Sequence, residues 1–182
     1  MPSPIHRRLA AAVLCLAALP LIPSPATAAD GYVELRGYPA GGIVSVGALF
    51  PYGAHMEWGV SALYNRAERG DAGEHDDESG DGFGVGIEAR RFHSASRQGW
   101  FYGARAELFQ LDIDWVDPSN RRGQSEITVL QPTARLGYRL APFGNGASLE
   151  LAGGVGVEIN VETDGEQVGE GAIGLIGVAV RW

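Results

Sequence analysis

The chain has 182 residues, a formal net charge of −8 and a single cysteine, Cys15. This length fits one domain once a targeting segment is removed. Because nucleic-acid binding depends on cationic surfaces, the negative charge argues against a nucleic-acid partner, and a lone cysteine excludes an intrachain disulfide and a multi-cysteine metal site.

The first 28 residues have the layout of a secretory signal. Arg7 and Arg8 precede the apolar stretch LAAAVLCLAALPLI, and small residues at 26–28 follow it. That stretch is shorter than an ordinary transmembrane helix. We therefore expect 1–28 to be a cleaved signal peptide. Residues 29–182 would then form one mature domain without cysteine and with a charge of −10.

Eight segments of the mature chain alternate between apolar residues and polar or small ones, which is the period of a half-buried β-strand. They cover 31–38, 42–52, 55–65, 81–93, 99–113, 125–140, 147–161 and 171–182. One alternating class is apolar throughout, as Val44 and Val46 illustrate. No segment has a persuasive helical period. The pattern predicts an all-β chain whose eight strands close into a barrel.

The other alternating class combines glycine with equal numbers of acidic and basic side chains. Its charged members are Glu34, Arg36, Glu57, Glu88, Arg90, Arg105, Glu107, Arg135, Arg139, Glu150, Glu158 and Arg181. A solvated surface needs no such balance, whereas a confined interior must pair its charges. Glycines beside long side chains also suit a narrow lumen. We therefore predict that this class forms a paired charge network in the lumen and that the apolar class faces lipid.

The links and the aromatic residues suggest an orientation. Longer, acidic links are expected at 66–80, 114–124 and 162–170, and they alternate with short ones. Outer-membrane barrels have short periplasmic turns and longer outer loops, so both termini should be periplasmic. Aromatic residues form candidate interfacial girdles. The periplasmic girdle would contain Phe50, Tyr52, Trp58, Trp100, Tyr102, Tyr138 and Trp182, and the outer one Tyr64, Phe83 and Trp115.

An N-terminal signal, eight alternating strands and the closing sequence GLIGVAVRW together resemble the small outer-membrane β-barrels, of which OmpX and the OmpA membrane domain are examples. The resemblance implies an eight-stranded antiparallel up-and-down transmembrane β-barrel, monomeric, in the bacterial outer membrane. It implies no cofactor and no single function. It also implies that the barrel-assembly machinery recognises the C-terminal residues Ile176, Val178, Val180 and Trp182.

Two features fit the pattern poorly. Pro132 lies in mid-strand, where a closed barrel has no edge to tolerate a missing N–H unless a bulge intervenes. In the fifth segment, polar residues take the apolar positions after Leu108, namely Gln110, Asp112 and Asp114. Either a bulge there exchanges the inward and outward positions of the side chains, or the strand has already left the membrane.

The sequence DDESGDGFGVGIE at 76–88 has the residue spacing of a calcium loop. The flanking pattern is not helical, and strand geometry would separate Glu88 from Asp81 by roughly 20 Å. An EF-hand is therefore rejected, and no firm metal site is predicted. A weaker cation site remains a hypothesis beside a solvated acidic loop. Its candidate ligands are Asp76, Asp77, Glu78 and Asp81.

The sequence offers one group of candidate catalytic residues, which is His93 with its neighbouring serines. Some eight-stranded outer-membrane barrels are lipid A deacylases with a His-x-Ser pair on the lipid face. Here Ala95 stands where that serine would be, and the topology places His93 at a periplasmic turn, away from lipid A. We therefore predict no catalytic residues.

The favoured function is that of a non-enzymatic outer-membrane barrel with a filled lumen, acidic outer loops and a structural or surface-interaction role. Its expected partners are outer-membrane lipid and lipopolysaccharide, with divalent cations bridging acidic loops to phosphates. One alternative is a soluble periplasmic or secreted β-barrel that binds a small apolar ligand. Others are a lipid A-modifying enzyme and a narrow gated pore.

Overall fold

The computed structural model describes residues 29–70, 73–144 and 146–182, so the predicted signal peptide lies outside the described residues. The chain forms eight strands. They are β1 (Asp30–Tyr38), β2 (Gly41–Tyr52), β3 (Met56–Glu68), β4 (Asp77–Phe92), β5 (Gly99–Val116), β6 (Arg122–Arg139), β7 (Ser148–Asp164) and β8 (Gly171–Arg181). Consecutive strands pair antiparallel, and β1 pairs with β8. The predicted eight-stranded up-and-down barrel is confirmed.

Among the described residues, no helix is long and apolar enough to cross a membrane.

The two ends of the barrel differ in the length of their strands. We call the end with both termini and the links 53–55, 93–98 and 140–147 the turn end, and the opposite end, with the links 39–40, 69–76, 117–121 and 165–170, the cap end. The predicted contrast in link length is wrong, because strands continue through segments expected to be loops. β4 begins at Asp77, and β7 extends to Asp164.

The outward face of the barrel carries a broad apolar band. Phe83 is 74% exposed, Val155 68% and Ile176 79%. Other exposed members are Val33, Leu35, Val44, Val46, Trp58, Val60, Val85, Leu136, Leu151, Val157, Ile159, Val178 and Val180. A water-soluble fold rarely exposes a continuous apolar surface of this extent. The terminal residues Ile176, Val178, Val180 and Trp182 all lie on this face, and their recognition by the assembly machinery stays a prediction.

The interior near the cap end is apolar, although the sequence pattern predicted a charged lumen throughout. Inward side chains from five strands and one link pack together there. They are Ile43, Leu63, Ala67, Phe109, Leu111, Ile113, Trp115, Ile127, Val129, Val168, Ile173 and Leu175. We call this group the upper core. It fills the barrel above the charged residues.

The irregular fifth segment is explained by the upper core. β5 pairs with β6 in unbroken register from Gly99 to Val116, and its pairing with β4 shows no shift either. Asp112 and Asp114 face outward and are exposed, while Leu111 and Ile113 face inward and are buried. The alternation of inward and outward side chains along β5 is therefore unbroken. What changes is the environment, because the strand has left the apolar band and its inner face has entered the upper core.

The strand around Pro132 is accommodated by a local irregularity in its pairing with β7. Between Thr128 and Val129 the partner on β7 changes from Glu162 to Asn160, which leaves Val161 as an extra residue. The β6–β7 ladder is also interrupted at Gln131 and Pro132. A bulge near the proline bends the strand and removes the requirement for a donor at that position.

One aromatic assignment is wrong. Trp115 was expected in the outer girdle, but its side chain points inward and only 5% of it is exposed. Its indole Nε1 donates a hydrogen bond to Ser125 Oγ at 3.1 Å. The exposed aromatic residues at the turn end include Tyr52, Trp58, Trp100, Tyr102, Tyr138 and Trp182. Since a buried indole needs a hydrogen-bond partner, Ser125 explains why tryptophan is tolerated inside.

We predict that Phe109→Ala destabilises the barrel by about 3–5 kcal/mol, because truncating a buried phenylalanine leaves a cavity in the upper core. Phe83→Ala is the matched control, since Phe83 is 74% exposed on the outer surface and its truncation leaves no internal cavity. The measurement is the free energy of unfolding in urea, with the protein folded in detergent micelles. Equal losses for the two variants would contradict the existence of the upper core.

Candidate functional site

The interior of the barrel near the turn end holds a network of paired charges, which we call the lumen network. All twelve charged residues predicted for the lumen lie on inward-facing positions of their strands. Ten of them are buried, and Arg135 and Glu158 are partly exposed. Strand alternation places them there, because every second side chain points to the same face.

Glu88 is the centre of the lumen network. Its carboxylate accepts hydrogen bonds from Arg135 at 2.7 Å and from Arg105 at 3.3 Å. Arg90 and the Tyr32 hydroxyl also donate to it, at 3.4 and 3.1 Å. Three arginines of the predicted lumen class therefore contact Glu88, whereas Arg36 of the same class does not.

Arg36 instead pairs with Glu107, at 2.7 and 2.6 Å through its two terminal nitrogens. Glu34 connects this pair to the centre of the network, because it lies 2.6 Å from Arg105 and 3.4 Å from Arg36. Arg135 also donates to Glu34. Each carboxylate thus contacts more than one guanidinium, which is how a narrow interior satisfies several donors per arginine.

The turn end of the lumen is closed by charges and two aromatic rings. Glu57 accepts from Arg139 at 2.9 and 2.7 Å and lies 2.9 Å from Arg181. Beneath them, the Arg139 guanidinium lies 4.2 Å from the ring centre of Phe92. Phe92 packs on Phe101 with 5.2 Å between ring centres. All of these residues are buried, so they fill the lumen at this level.

Four further charged residues belong to the interior and were missed by the sequence analysis. Asp30 pairs with Arg181, Arg97 lies 3.3 Å from Glu57, and Arg69 lies 3.2 Å from Glu78. Two acids and two bases are added, so the balance of charge is kept. Arg69 and Glu78 continue the alternation that points every second side chain of β3 and β4 inward. Longer predicted strands would therefore have identified both as interior residues.

Glycine makes room for the long side chains, as predicted. A Cβ on Gly177 would lie 2.7 Å from Arg36 Cγ. A Cβ on Gly59 would lie 3.2 Å from Glu88 Cγ and 2.7 Å from Leu49 Cδ2. A side chain at either position would therefore crowd the lumen network. A remaining interior cavity between Glu34 and Gly177 has a volume of about 10 Å³, the size of about one water molecule.

The four candidate cation ligands do not form one group. Glu78 is fully buried and points into the barrel, whereas Asp77 and Asp81 are exposed on the opposite face of β4 and Asp76 is exposed in the preceding link. In the described residues there is no group of three or more metal-binding side chains suited to a metal ion. The four side chains diverge because 77–80, expected to be a loop where side chains can converge, is a strand.

Glu78 instead joins two links at the cap end. Its carboxylate accepts backbone N–H groups from Glu74 at 2.8 Å, His75 at 3.2 Å and Gly169 at 3.0 Å. Arg69 supplies the opposite charge at 3.2 Å. One buried carboxylate therefore ties the link 69–76 to the link 165–170. A charged acceptor with several backbone donors is a strong local interaction.

The link 165–170 forms a lid on the upper core. Val168 is 1% exposed and packs into that core. The His75 ring stacks on Trp115 with 4.3 Å between ring centres, and His75 Nε2 lies 3.0 Å from the carbonyl of Gln167. The link 165–170, expected to be a solvated acidic loop, is thus packed onto the barrel.

The link 117–121 is joined to the same structure. Arg121 donates to Asp117 at 2.9 Å and to Glu166 at 2.9 Å. Hydrogen bonds from Ser119 and Arg121 hold the pKa of the Asp117 carboxyl well below its usual range. These contacts order the exposed rim of the cap end.

The outward face near the cap end carries a row of carboxylates at one level of the barrel. Asp81 pairs with Asp112 across β4 and β5, Asp112 pairs with Glu126, and Glu126 pairs with Asp164. All four are exposed. Directly opposed side chains have Cβ atoms about 4.5–5.5 Å apart, and like charges so placed repel. The row marks the polar boundary of the apolar band.

His93 does not form a catalytic pair. Its side chain is exposed and makes no hydrogen bond to Ser94 or Ser96 within residues 29–70, 73–144 and 146–182. The two serines contact each other instead, with 2.8 Å between their hydroxyl oxygens. A serine nucleophile needs a base within hydrogen-bond reach, and His93 is not so placed here.

We predict that Glu88→Gln destabilises the barrel by about 3–5 kcal/mol, because it removes the charge that compensates three interior arginines. Glu74→Gln is the control, since the Glu74 side chain is exposed in a link. The free energy of unfolding in micelles is the measurement. A loss no larger than that of the control would show that the network does not depend on Glu88.

We predict that Asp112→Asn stabilises the protein by about 0.2–1 kcal/mol at low salt, because it removes repulsion from the carboxylates on both sides. The gain should shrink at high salt, where exposed charges are screened. Asp77→Asn is the control, since Asp77 faces Val116 across the ladder. Unfolding midpoints at two salt concentrations test this, and a salt-independent gain would point to another cause.

No protein-family model and no curated protein sequence matches the chain. Among solved structures, the N-terminal β-barrel domain of Pseudomonas aeruginosa OprF is 13% identical, with 85% of this chain and 96% of that chain covered and a TM-score of 0.48. Neisserial surface protein A is 13% identical, with 84% of this chain and 92% of that chain covered and a TM-score of 0.46. The β domain of the Bordetella autotransporter BrkA is 10% identical, with 83% of this chain and 96% of that chain covered and a TM-score of 0.29. The eight-stranded barrel itself is established by the strand pairing of this chain and not by these likenesses.

Proposed function

We propose that the mature chain is a non-enzymatic barrel that spans the bacterial outer membrane, with a sealed interior and an acidic outer rim. The observation that carries the proposal is the inverted polarity of the barrel. Apolar side chains such as Phe83, Val155 and Ile176 are more than two-thirds exposed, while charged ones such as Glu88 and Arg105 are buried. Lipid is the solvent in which that arrangement is stable, because it accepts an apolar surface and the closed barrel satisfies its own backbone.

The apolar band has a definite height. On β4 it runs from Phe83 to Ala89, with Asp81 on one side and Arg91 on the other. The ten residue steps between the flanking charges Asp81 and Arg91 rise about 33 Å along the strand, and a strand tilt of about 40° reduces this to about 25 Å across the membrane. Exposed tyrosine and tryptophan at the turn end suit a membrane interface. The band is therefore consistent with the hydrocarbon layer of an outer membrane.

A sealed interior favours a structural or surface-interaction role over transport. The lumen network fills the barrel near the turn end, and the upper core fills it near the cap end. An ion would have to displace both buried ion pairs and close-packed apolar side chains. The alternative of a gated pore would require both layers to rearrange, so this arrangement supports it less well.

A soluble barrel that carries a small apolar ligand is also less well supported. Such a protein needs an apolar cavity inside, of several hundred Å³ for a drug-sized ligand. The upper core is filled by its own side chains, and the interior cavity beside Glu34 holds about 10 Å³. The exposed apolar band would also have no partner in water.

We expect the folded chain to sediment with the outer membrane and to migrate on a gel with a heat-dependent shift, because small barrels resist detergent until boiled. Reconstituted in a planar bilayer, it should give no steady conductance, while a porin in the same bilayers serves as the positive control. Unfolded mobility without boiling, or recovery in the soluble periplasmic fraction, would contradict a membrane barrel. Steady single-channel currents would contradict the sealed interior alone.

A further inference from the structure

Among the described residues, the turn end of the apolar band contains one outward-facing arginine, Arg91. Going down β4, the outward residues are Phe83, Val85, Ile87, Ala89 and Arg91. Across the ladder Arg91 faces Met56 on β3 and Tyr102 on β5, neither of which carries a charge. Within the described parts of the chain, the Arg91 side chain has no hydrogen-bond or ion-pair partner. This contrasts with the interior arginines, which are all paired.

A cavity of about 540 Å³ lies on the outer surface at this arginine. Its walls include Arg91, His93, Trp100, Tyr102 and Leu136. The rings of Trp100 and Tyr102 are 59% and 60% exposed, and Leu136 is 58% exposed. The cavity therefore combines an apolar and aromatic wall with a cation and an imidazole at the edge nearest the turn end.

The chemistry of this cavity matches one end of a phospholipid. A guanidinium binds phosphate oxygens through two parallel N–H groups, and a histidine N–H can donate to the same group. Exposed tryptophan and tyrosine lie at the depth of headgroups in membranes. Leu136 on β6 pairs directly with Tyr102 and offers an apolar surface for an acyl chain.

The charge pattern of the barrel favours this occupant at this end. The cap-end boundary of the band is marked by carboxylates such as Asp81 and Asp112, which repel phosphate. The turn-end boundary on β4 is marked by Arg91 and His93. We propose that the cavity beside Arg91 binds a phospholipid of the leaflet at the turn end, with Arg91 holding the phosphate. This rests on the proposed function, since it requires the apolar band to lie in a bilayer.

Native mass spectrometry of the mature chain folded in micelles tests the proposal, with 1-palmitoyl-2-oleoyl phosphatidylglycerol added at increasing concentration. The wild-type barrel should retain one phospholipid, and Arg91→Gln should weaken the apparent affinity by about tenfold, because it removes a hydrogen-bonded charge from the phosphate. Arg122→Gln is the matched control. Arg122 is an exposed arginine at the cap end, and its replacement removes the same charge.

The outcomes separate the lipid site from the barrel itself. A variant that keeps its heat-dependent gel shift but retains lipid as well as the wild type overturns the site. Loss of that shift in the wild type overturns the proposed function instead. Inorganic phosphate that displaces the lipid at millimolar concentration, with the same dependence on Arg91, would identify a free-anion site and also overturn the proposal. If Arg91→Gln fails to fold, Leu136→Ser tests the apolar wall, and unchanged retention by that variant counts equally against the site.

Discussion

Pairing of buried charge is the constraint on which the rest of this barrel depends. An eight-stranded barrel has an interior wide enough for side chains and little else, and an isolated charge in such a space is strongly destabilising. Glu88 meets this constraint by accepting from Arg90, Arg105 and Arg135 at once. The glycines at 59 and 177 follow from the same constraint, since a Cβ at either position would push against the paired side chains.

The interior has two layers that are stabilised by different interactions. Near the turn end, ion pairs and hydrogen bonds fix the geometry of the side chains. Near the cap end, Phe109, Leu111 and Ile113 pack as they would in the core of a soluble protein. This division explains why the strands extend beyond the apolar band. Beyond the apolar band, a strand exposes polar residues such as Asp112 on its outer face and buries apolar ones within.

A single buried carboxylate joins two of the links at the cap end. Glu78 receives backbone N–H groups from the links on two sides of the barrel and the charge of Arg69. Val168 then closes the upper core from above. The rim of the cap end is therefore a packed surface whose links are held by defined hydrogen bonds.

The sequence by itself determined the number of strands, their antiparallel order and the side of the sheet that each charged residue faces. These follow from local alternation, because the backbone sends successive side chains to opposite faces. Charge balance within one alternating class also indicated the inside of the barrel. Only the tertiary structure decided the ends of the strands, the partner of each charge and the upper core. Arg36 and Glu107 are far apart in the sequence and meet across the lumen. The inward orientation of Glu78 and Trp115 depends on how far β4 and β5 continue beyond the apolar band. That extent is set by packing between distant segments rather than by local pattern.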